Sequence, residues 1–362
     1  MKFIDEYRDP KLFNWLLAAV RKRAGQLNRS ITIMEVCGSH TNAIGRYGIR
    51  GLLPENIRLI SGPGCPVCVT AIQEVDAALF LARQPDVLFA SFGDMLRVPG
   101  TKRRSLEKER ADGADIRVVD SAVECLDLAQ KNPDRQIVFM GIGFETTSPA
   151  AASVVKTAKS HAISNLAVFS VHKVIPPAID ALLSDPLLSV DGFMLPGHVS
   201  TILGTAAYSI IARRGRAGVI TGFEPVDILE GILMILEQII SGDVKTEIQY
   251  RRGVKEEGNP AARRILNEVF EPADSHWRGL GMIPKSGLVF RQEYRGFDAS
   301  IRFDIPAFDS QDASGCRCGD VLKGIISPPE CPQFGSACLP RNPLGPCMVS
   351  AEGTCAAYYK YQ

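Results

Sequence analysis

Ten cysteines stand in a chain of 362 residues, and they are unevenly placed. Cys316, Cys318, Cys331, Cys338, Cys347 and Cys355 crowd one stretch near the C-terminus; Cys37, Cys65 and Cys68 form a second group; Cys125 stands apart. In a reducing compartment, structural disulfides are a poor use for them, and metal binding or thiol redox chemistry is a better one. Six thiols in a segment broken by Pro328, Pro329, Pro332, Pro340, Pro343 and Pro346 are enough for one cubane iron–sulfur cluster, which takes four thiolates. The spacing matches no common ferredoxin pattern, so an iron–sulfur cluster, zinc and redox disulfides all remain open.

Cys37 lies in Cys37-Gly38-Ser39-His40-Thr41, between an apolar run and a helical pattern. A helix N-terminus lowers a thiol's pKa, and a thiolate there is a good soft-metal ligand. His40, three residues on, is within reach of the same ion. The plainer alternative is a buried cysteine acting as a small apolar side chain. Cys65-Pro66-Val67-Cys68 at a helix start fits a reversible disulfide, or half of a zinc site completed by Cys37 and His40. Glu145 in GFETT and His198 in PGHVS are candidates for acid–base or ligand roles, against structural roles for both. Cys125, among Val123, Leu126 and Leu128, reads as core, and His161 and His276 as surface or packing residues. Gly141-Ile142-Gly143 completes no dinucleotide fingerprint, and no phosphate-binding loop motif is present.

These groups need a frame that brings them together. Short β-branched runs at 31–36, 57–61, 87–91, 116–119, 137–141, 166–171, 192–195 and 218–221 alternate with helical patterns such as 69–83, 121–131 and 200–213. Continuous apolar runs of this kind suit parallel sheets covered on both faces. The fold class is therefore α/β, with two doubly wound parallel-sheet domains facing each other, over residues 30–120 and 121–225. Residues 226–362, with the N-terminal helix of 1–29, make a third, helical and cysteine-rich domain. Helices are expected at 225–241 and 259–270, irregular chain over 284–315, and a helix at 10–26 that packs on the C-terminal helices. The unusual residues follow the strands: CGSHT, GPGCPVC, FGDM, GFETT, VHK, PGHVS and GFEP. In open α/β sheets the functional crevice lies outside the carboxyl ends of the strands.

Composition excludes several classes. Hydrophobic residues are 46% and charged residues 22%, with a formal net charge of +1, so the basic excess of a nucleic-acid binder is missing. No apolar run reaches the roughly 18–20 residues that span a bilayer. The N-terminus has no apolar signal-peptide core. A cytoplasmic protein with no membrane or nucleic-acid partner is expected.

EVCGSHT, SGPGCPVC, SFGDMLRVPG, GFETT, SVHK, LPGHVS, GFEP and the terminal CRCGDVLKG, SPPECPQFG and NPLGPCMVSAEGTCAAYY together resemble the HypD family of hydrogenase maturation proteins, over nearly the whole chain. The resemblance implies a role in building the Fe(CN)2CO unit of [NiFe] hydrogenases. It implies a [4Fe-4S] cluster on Cys316, Cys331, Cys338 and Cys355, whose fourteen, six and sixteen intervening residues complete the family's pattern. It implies a redox-active pair in Cys318 and Cys347, a second thiol pair in Cys65 and Cys68, and an iron ligand in Cys37. The implied partners are a small HypC-type chaperone that shares the iron and a HypE-type cyanide donor. The family's role is that of a redox-active scaffold rather than a conventional turnover enzyme. The rival readings are an iron–sulfur thiol-disulfide reductase and a zinc-binding adaptor.

Overall fold

Each of the eight apolar runs becomes a strand in the computed structural model, which describes residues 4–186 and 188–361. They are β1 (Ile31–Glu35), β2 (Ile57–Ser61), β3 (Val87–Ser91), β4 (Ile116–Val118), β5 (Gln136–Gly141), β6 (Leu166–Ser170), β7 (Gly192–Pro196) and β8 (Ala217–Thr221). A short edge strand, β9 (Thr246–Ile248), joins them. Two parallel sheets result, ordered β2-β1-β7-β8-β9 and β4-β3-β5-β6. Strands β3, β7 and β8 are buried along their whole length, as strands covered on both faces must be.

The division at residue 120 is not the division between the sheets. The chain makes β1 and β2, leaves to build the second sheet from β3 to β6, then returns with β7 beside β1, pairing Ile33 with Gly192 and Glu35 with Met194. The physical reason lies in β1. It is buried nearly throughout, so both its edges need partners, and β2 supplies only one. Strand order reverses between β1 and β7 in one sheet and between β3 and β5 in the other. The fold therefore has two switch points, and the CGSHT and PGHVS motifs flank the first while FGDM and GFETT flank the second.

The helix Pro10–Ala24, capped by Asp9 accepting from the Lys11 amide at 2.8 Å, packs on the helix Pro225–Ser241, as its pattern suggests. The expected single helix over 200–213 is instead two, Gly197–Leu203 and Ser209–Arg213, interrupted at Gly204. The segment expected to be irregular, 284–315, instead begins inside the second strand of an antiparallel hairpin, β10 (Phe270–Trp277) with β11 (Gly281–Phe290). Pro272 and Pro284 mask its alternation in the sequence. The hairpin tip rivets the fold: Thr70 bridges to Trp277, and the Arg278 amide donates to the Val69 carbonyl oxygen at 2.8 Å. Trp277 is fully buried and its indole N–H donates to Ser286 Oγ at 2.8 Å. Trp277→Ala should lower stability by roughly 3–5 kcal/mol, read as a shifted urea midpoint; a loss under about 1 kcal/mol would show that the hairpin tip is not part of the core.

One hydrophobic core includes residues of both sheets, such as Met34 and Phe89, together with Cys65, Cys68, Cys318 and Cys347. The two thiol-bearing regions are thus buried in the same core. No helix among the described residues is long and apolar enough to cross a membrane.

Candidate metal and thiol centre

Cys37 ends the extended chain after β1 and precedes the helix Gly38–Arg46. Close backbone approach fixes its surroundings. The Gly38 amide donates to the Gly64 carbonyl oxygen at 3.1 Å, and a Cβ on Gly64 would collide with the Cys37 backbone. A Cβ on Gly38 would collide with Glu352 in the same way. Glycine at both positions brings the CPVC loop and the C-terminal segment onto the CGSH turn. Ser39 Oγ donates to Glu352 Oε1 at 2.8 Å. Burial, and then the Glu352 carboxylate, push the Cys37 thiol up to about 12, although the Ser39 and His40 amides oppose this. The expected lowering by the helix N-terminus is therefore reversed, because desolvation outweighs the few amides of a first turn.

His40 is fully buried, with Nε2 at 3.1 Å from both the Thr221 and Gly222 carbonyl oxygens. Carbonyls only accept, so Nε2 carries the proton and donates. Nδ1 then has a free lone pair, and it is buried without a partner. Burial holds the imidazole down at about 4, so the ring is neutral at pH 7. Phe223 stacks between His40 and His198, with ring centroids at 4.8 Å and 4.1 Å; His198 is the exposed member. The structure thus gathers Cys37, His40 and His198 at the first switch point. A surface cavity of about 370 Å³, lined in part by Ser39, Asn42, Phe223, Glu224 and Glu352, opens beside them.

Glu145 lies at the second switch point. It is fully buried, Oε1 accepts from the Ile175 amide at 3.0 Å, and Oε2 has no partner. Burial raises its carboxyl to about 7. The charges of both Glu145 and Cys37 bear on the buried phenol of Tyr208, which bonds Ser200 Oγ at 3.1 Å. A carboxyl raised from 4.5 is protonated more readily folded than unfolded, so its effect is a loss of stability as pH rises through 4.5 and up to about 7. Glu145→Gln should remove roughly 3 kcal/mol of that loss between pH 5 and pH 8. Equal pH slopes for the two proteins in urea unfolding would show that Glu145 does not titrate this way.

Cys65 and Cys68 are both buried and form a disulfide across the turn Pro66–Val69. The four-ligand zinc set of Cys37, His40, Cys65 and Cys68 is therefore not assembled. Among the described residues, no three His, Cys, Asp or Glu side chains converge as the ligands of a single metal ion would. The CPVC turn packs against the segment Pro346–Met348, which carries Cys347.

All six C-terminal cysteines line one small cavity, with Val321, Phe334, Leu344 and Met348. A Cβ on Gly345 would stand 2.7 Å from Cys316 Sγ, so only glycine leaves the thiol its room. Cys318 Sγ and Cys347 Sγ are 2.6 Å apart, and Cys347 also meets the Cys355 thiol. The hydrogen bond from Cys347 holds the Cys318 thiol down, whereas burial pushes Cys316 up to about 12. Arg278, only 4% exposed, favours the charged forms of both Cys316 and Cys318; its Nε donates to Asp312 at 2.7 Å and its Nη1 has no partner.

Arg278 and Glu352 are the charged residues that sequence reasoning missed. Arg278 sits in the hairpin turn hidden by the prolines, and Glu352 reaches Cys37 only through the tertiary fold. Cys125 is core, as expected, and exposed His161 bonds only its own helix end, with Nδ1 at 2.9 Å from the Thr157 carbonyl oxygen.

The family model HypD, described as the "Hydrogenase formation hypA family", matches residues 11–362. The hydrogenase maturation factor HypD of Azotobacter vinelandii is 46% identical over 368 residues, covering 100% of this chain and 97% of that protein. The hydrogenase maturation factor HypD of Escherichia coli (strain K12) is 44% identical, covering 100% and 98%, and that of Cupriavidus necator is 44% identical, covering 100% and 97%. Matched over residues 11–362 by the family model and over its whole length by relatives 44–46% identical to it, this chain belongs to the HypD family of hydrogenase maturation proteins.

Proposed function

We propose that this protein is a cytoplasmic, redox-active scaffold on which the Fe(CN)2CO unit of [NiFe] hydrogenases is assembled. Its cargo is a ferrous ion held by Cys37 together with a cysteine of a small HypC-type chaperone. The observation that carries this is the first switch point. There the Cys37 thiol meets the His40 backbone amide, the neutral His40 imidazole keeps a buried, unpartnered nitrogen, and a surface cavity lined by their neighbours Ser39 and Phe223 opens alongside. A histidine whose other nitrogen donates to a backbone carbonyl is the usual form of a metal-ligating imidazole. A thiolate suits soft low-valent iron, and few protein ligands leave positions free for diatomic ones. Cyanide arrives from a HypE-type donor.

Electrons are supplied by thiols. Closing the Cys65–Cys68 dithiol to the disulfide releases two electrons and two protons. Reopening it needs the same number, and the packing of the CPVC turn against Pro346–Met348 puts Cys318 and Cys347 in the same core. The C-terminal cavity fits a cluster: its donors are thiols, its other lining residues are mostly apolar, and they surround a space rather than a single ion. A [4Fe-4S] cluster on Cys316, Cys331, Cys338 and Cys355 would supply one-electron transfer. His198 holds or moves protons near the cargo, and Glu145 does so at the second switch point.

The test is an infrared spectrum of the anaerobically purified complex with the chaperone, where bound cyanide and carbonyl absorb in an otherwise empty window. The sulfur contact of Cys318 and Cys347 favours a second reading, a thiol-disulfide reductase for a protein disulfide. That reading predicts the same protein without those bands.

A further inference from the structure

The turn that follows Cys338 is surrounded by positive charge. Arg97 Nη1 donates to the Pro340 carbonyl oxygen at 3.2 Å, and Arg103 Nη2 donates to Asn342 Oδ1. Arg341 projects from the turn between those two anchors, and Lys102 adjoins Arg103. All four cations are exposed. None has an acidic partner among the described residues, and Lys102 and Arg341 have no hydrogen-bond partner either. In a chain of net charge +1, many of whose other cations are ion-paired, four cations without acidic partners gather where the 97–103 loop meets the 340–342 turn.

The patch is held rigidly. Lys102 and Arg103 are successive non-glycine residues at φ 54° and 59°, a conformation that costs of order 1 kcal/mol each and persists only where its surroundings enforce it. Here they do. Asp76, 7% exposed, accepts from the Thr101 amide at 2.8 Å, from Thr101 Oγ1 at 2.6 Å and from Ser310 Oγ at 2.5 Å. It thereby ties the strained loop to the segment 309–314 across a cavity of about 570 Å³. The carboxylates on that side are Asp309, which lines the cavity, and Asp312, which is occupied by Arg278. Leu344 lines both this cavity and the cysteine cavity, so a molecule seated on the patch is one side chain from the thiols.

We infer that this patch is the docking surface of an acidic electron-donor protein that serves the cysteine cavity, an inference that rests on the redox reading above. The four cations are spread over two adjoining segments, 97–103 and 340–342, which suits a carboxylate-rich protein face better than a single small anion. Cys318 and Cys347 are free thiols in the structure, with Sγ atoms 2.6 Å apart; once they are oxidised to a disulfide, two encounters, each oxidising one donor by one electron, together with two protons from water, return them to two thiols.

The probe is an acidic plant-type [2Fe-2S] ferredoxin, and the protein is the full chain. Binding of oxidised ferredoxin should weaken steeply with salt and fall about tenfold or more in the Lys102→Glu/Arg341→Glu variant. The thiols released at Cys318 and Cys347 by dithiothreitol, a small neutral reductant, should be unchanged in that variant. Reduced ferredoxin should release them more slowly from the variant than from the wild type. No binding to the wild type, equal binding to the variant, or charge-dependent binding of duplex DNA or anionic vesicles in place of ferredoxin would overturn the assignment. If docking behaves as described but dithiothreitol releases no thiols from the wild type, the docking surface stands and the redox reading fails.

Discussion

Cys37→Ala is expected to abolish the cyanide and carbonyl infrared bands of the chaperone complex while leaving the fold and the C-terminal iron content intact. The side chain lost is small and buried in a loop held by backbone contacts at Gly38 and Gly64, so little stability depends on it. What disappears is the soft donor. Cys37→Ser should fail as well, because a hydroxyl is a harder and far weaker ligand for low-valent iron. His40→Ala should reduce the bands less if the ring supports the thiol, and equally if Nδ1 is a ligand, so the ratio of the two losses assigns its role. Full band intensity in the Cys37→Ala complex would sink the proposal that this thiol holds the iron.

The second large effect is expected at the C-terminal cavity. Alanine at Cys316, Cys331, Cys338 or Cys355 should remove bound iron and acid-labile sulfide together, because four thiolates are needed. Cys318→Ala and Cys347→Ala should retain both. Loss of the metal should also loosen the segment 316–355. Its helices are single turns such as Cys318–Leu322 and Pro346–Met348, and a loop-rich segment draws its folding energy from what it binds. Limited proteolysis should then cut it in the ligand variants and not in the Cys318 or Cys347 variants. The reverse pattern, iron lost from Cys318→Ala and kept in Cys316→Ala, would show that the ligand set is wrongly drawn.

Much of this arrangement was legible in the residues themselves. The β-strands were readable because buried parallel strands are written as unbroken β-branched runs, and Ile57–Ser61 and Val87–Ser91 appear with the bounds their runs suggest. The strand-end motifs were readable because Cys, His and Glu stand out directly after such apolar runs. The grouping of strands was not readable. Nothing local in Gly192–Pro196 says that it will pair with β1 rather than extend the sheet just built, since both partners offer the same apolar edge. The ionisation of Cys37 was misread for a related reason: helix position is local, whereas burial and Glu352 arrive from more than three hundred residues away in sequence. Arg278 was hidden in a hairpin whose prolines suppress the pattern of alternation.

The excursion of the chain between β2 and β7 also dictates an order of events during synthesis. Domains commonly form as they emerge from the ribosome, N-terminal parts first, but here β1 and β2 come out with one edge unmet. They must wait until the whole second sheet has been made and β7 returns across a gap of more than one hundred residues. Contacts so distant along the chain form slowly. The second sheet, by contrast, is uninterrupted and can close on its own schedule. The crevice beside Cys37 needs Thr221 and Gly222 to orient His40, and Glu352 to close over Gly38. It therefore comes into being only after residue 352 has joined the chain, so the shorter nascent chain holds Cys37 without a finished crevice around it.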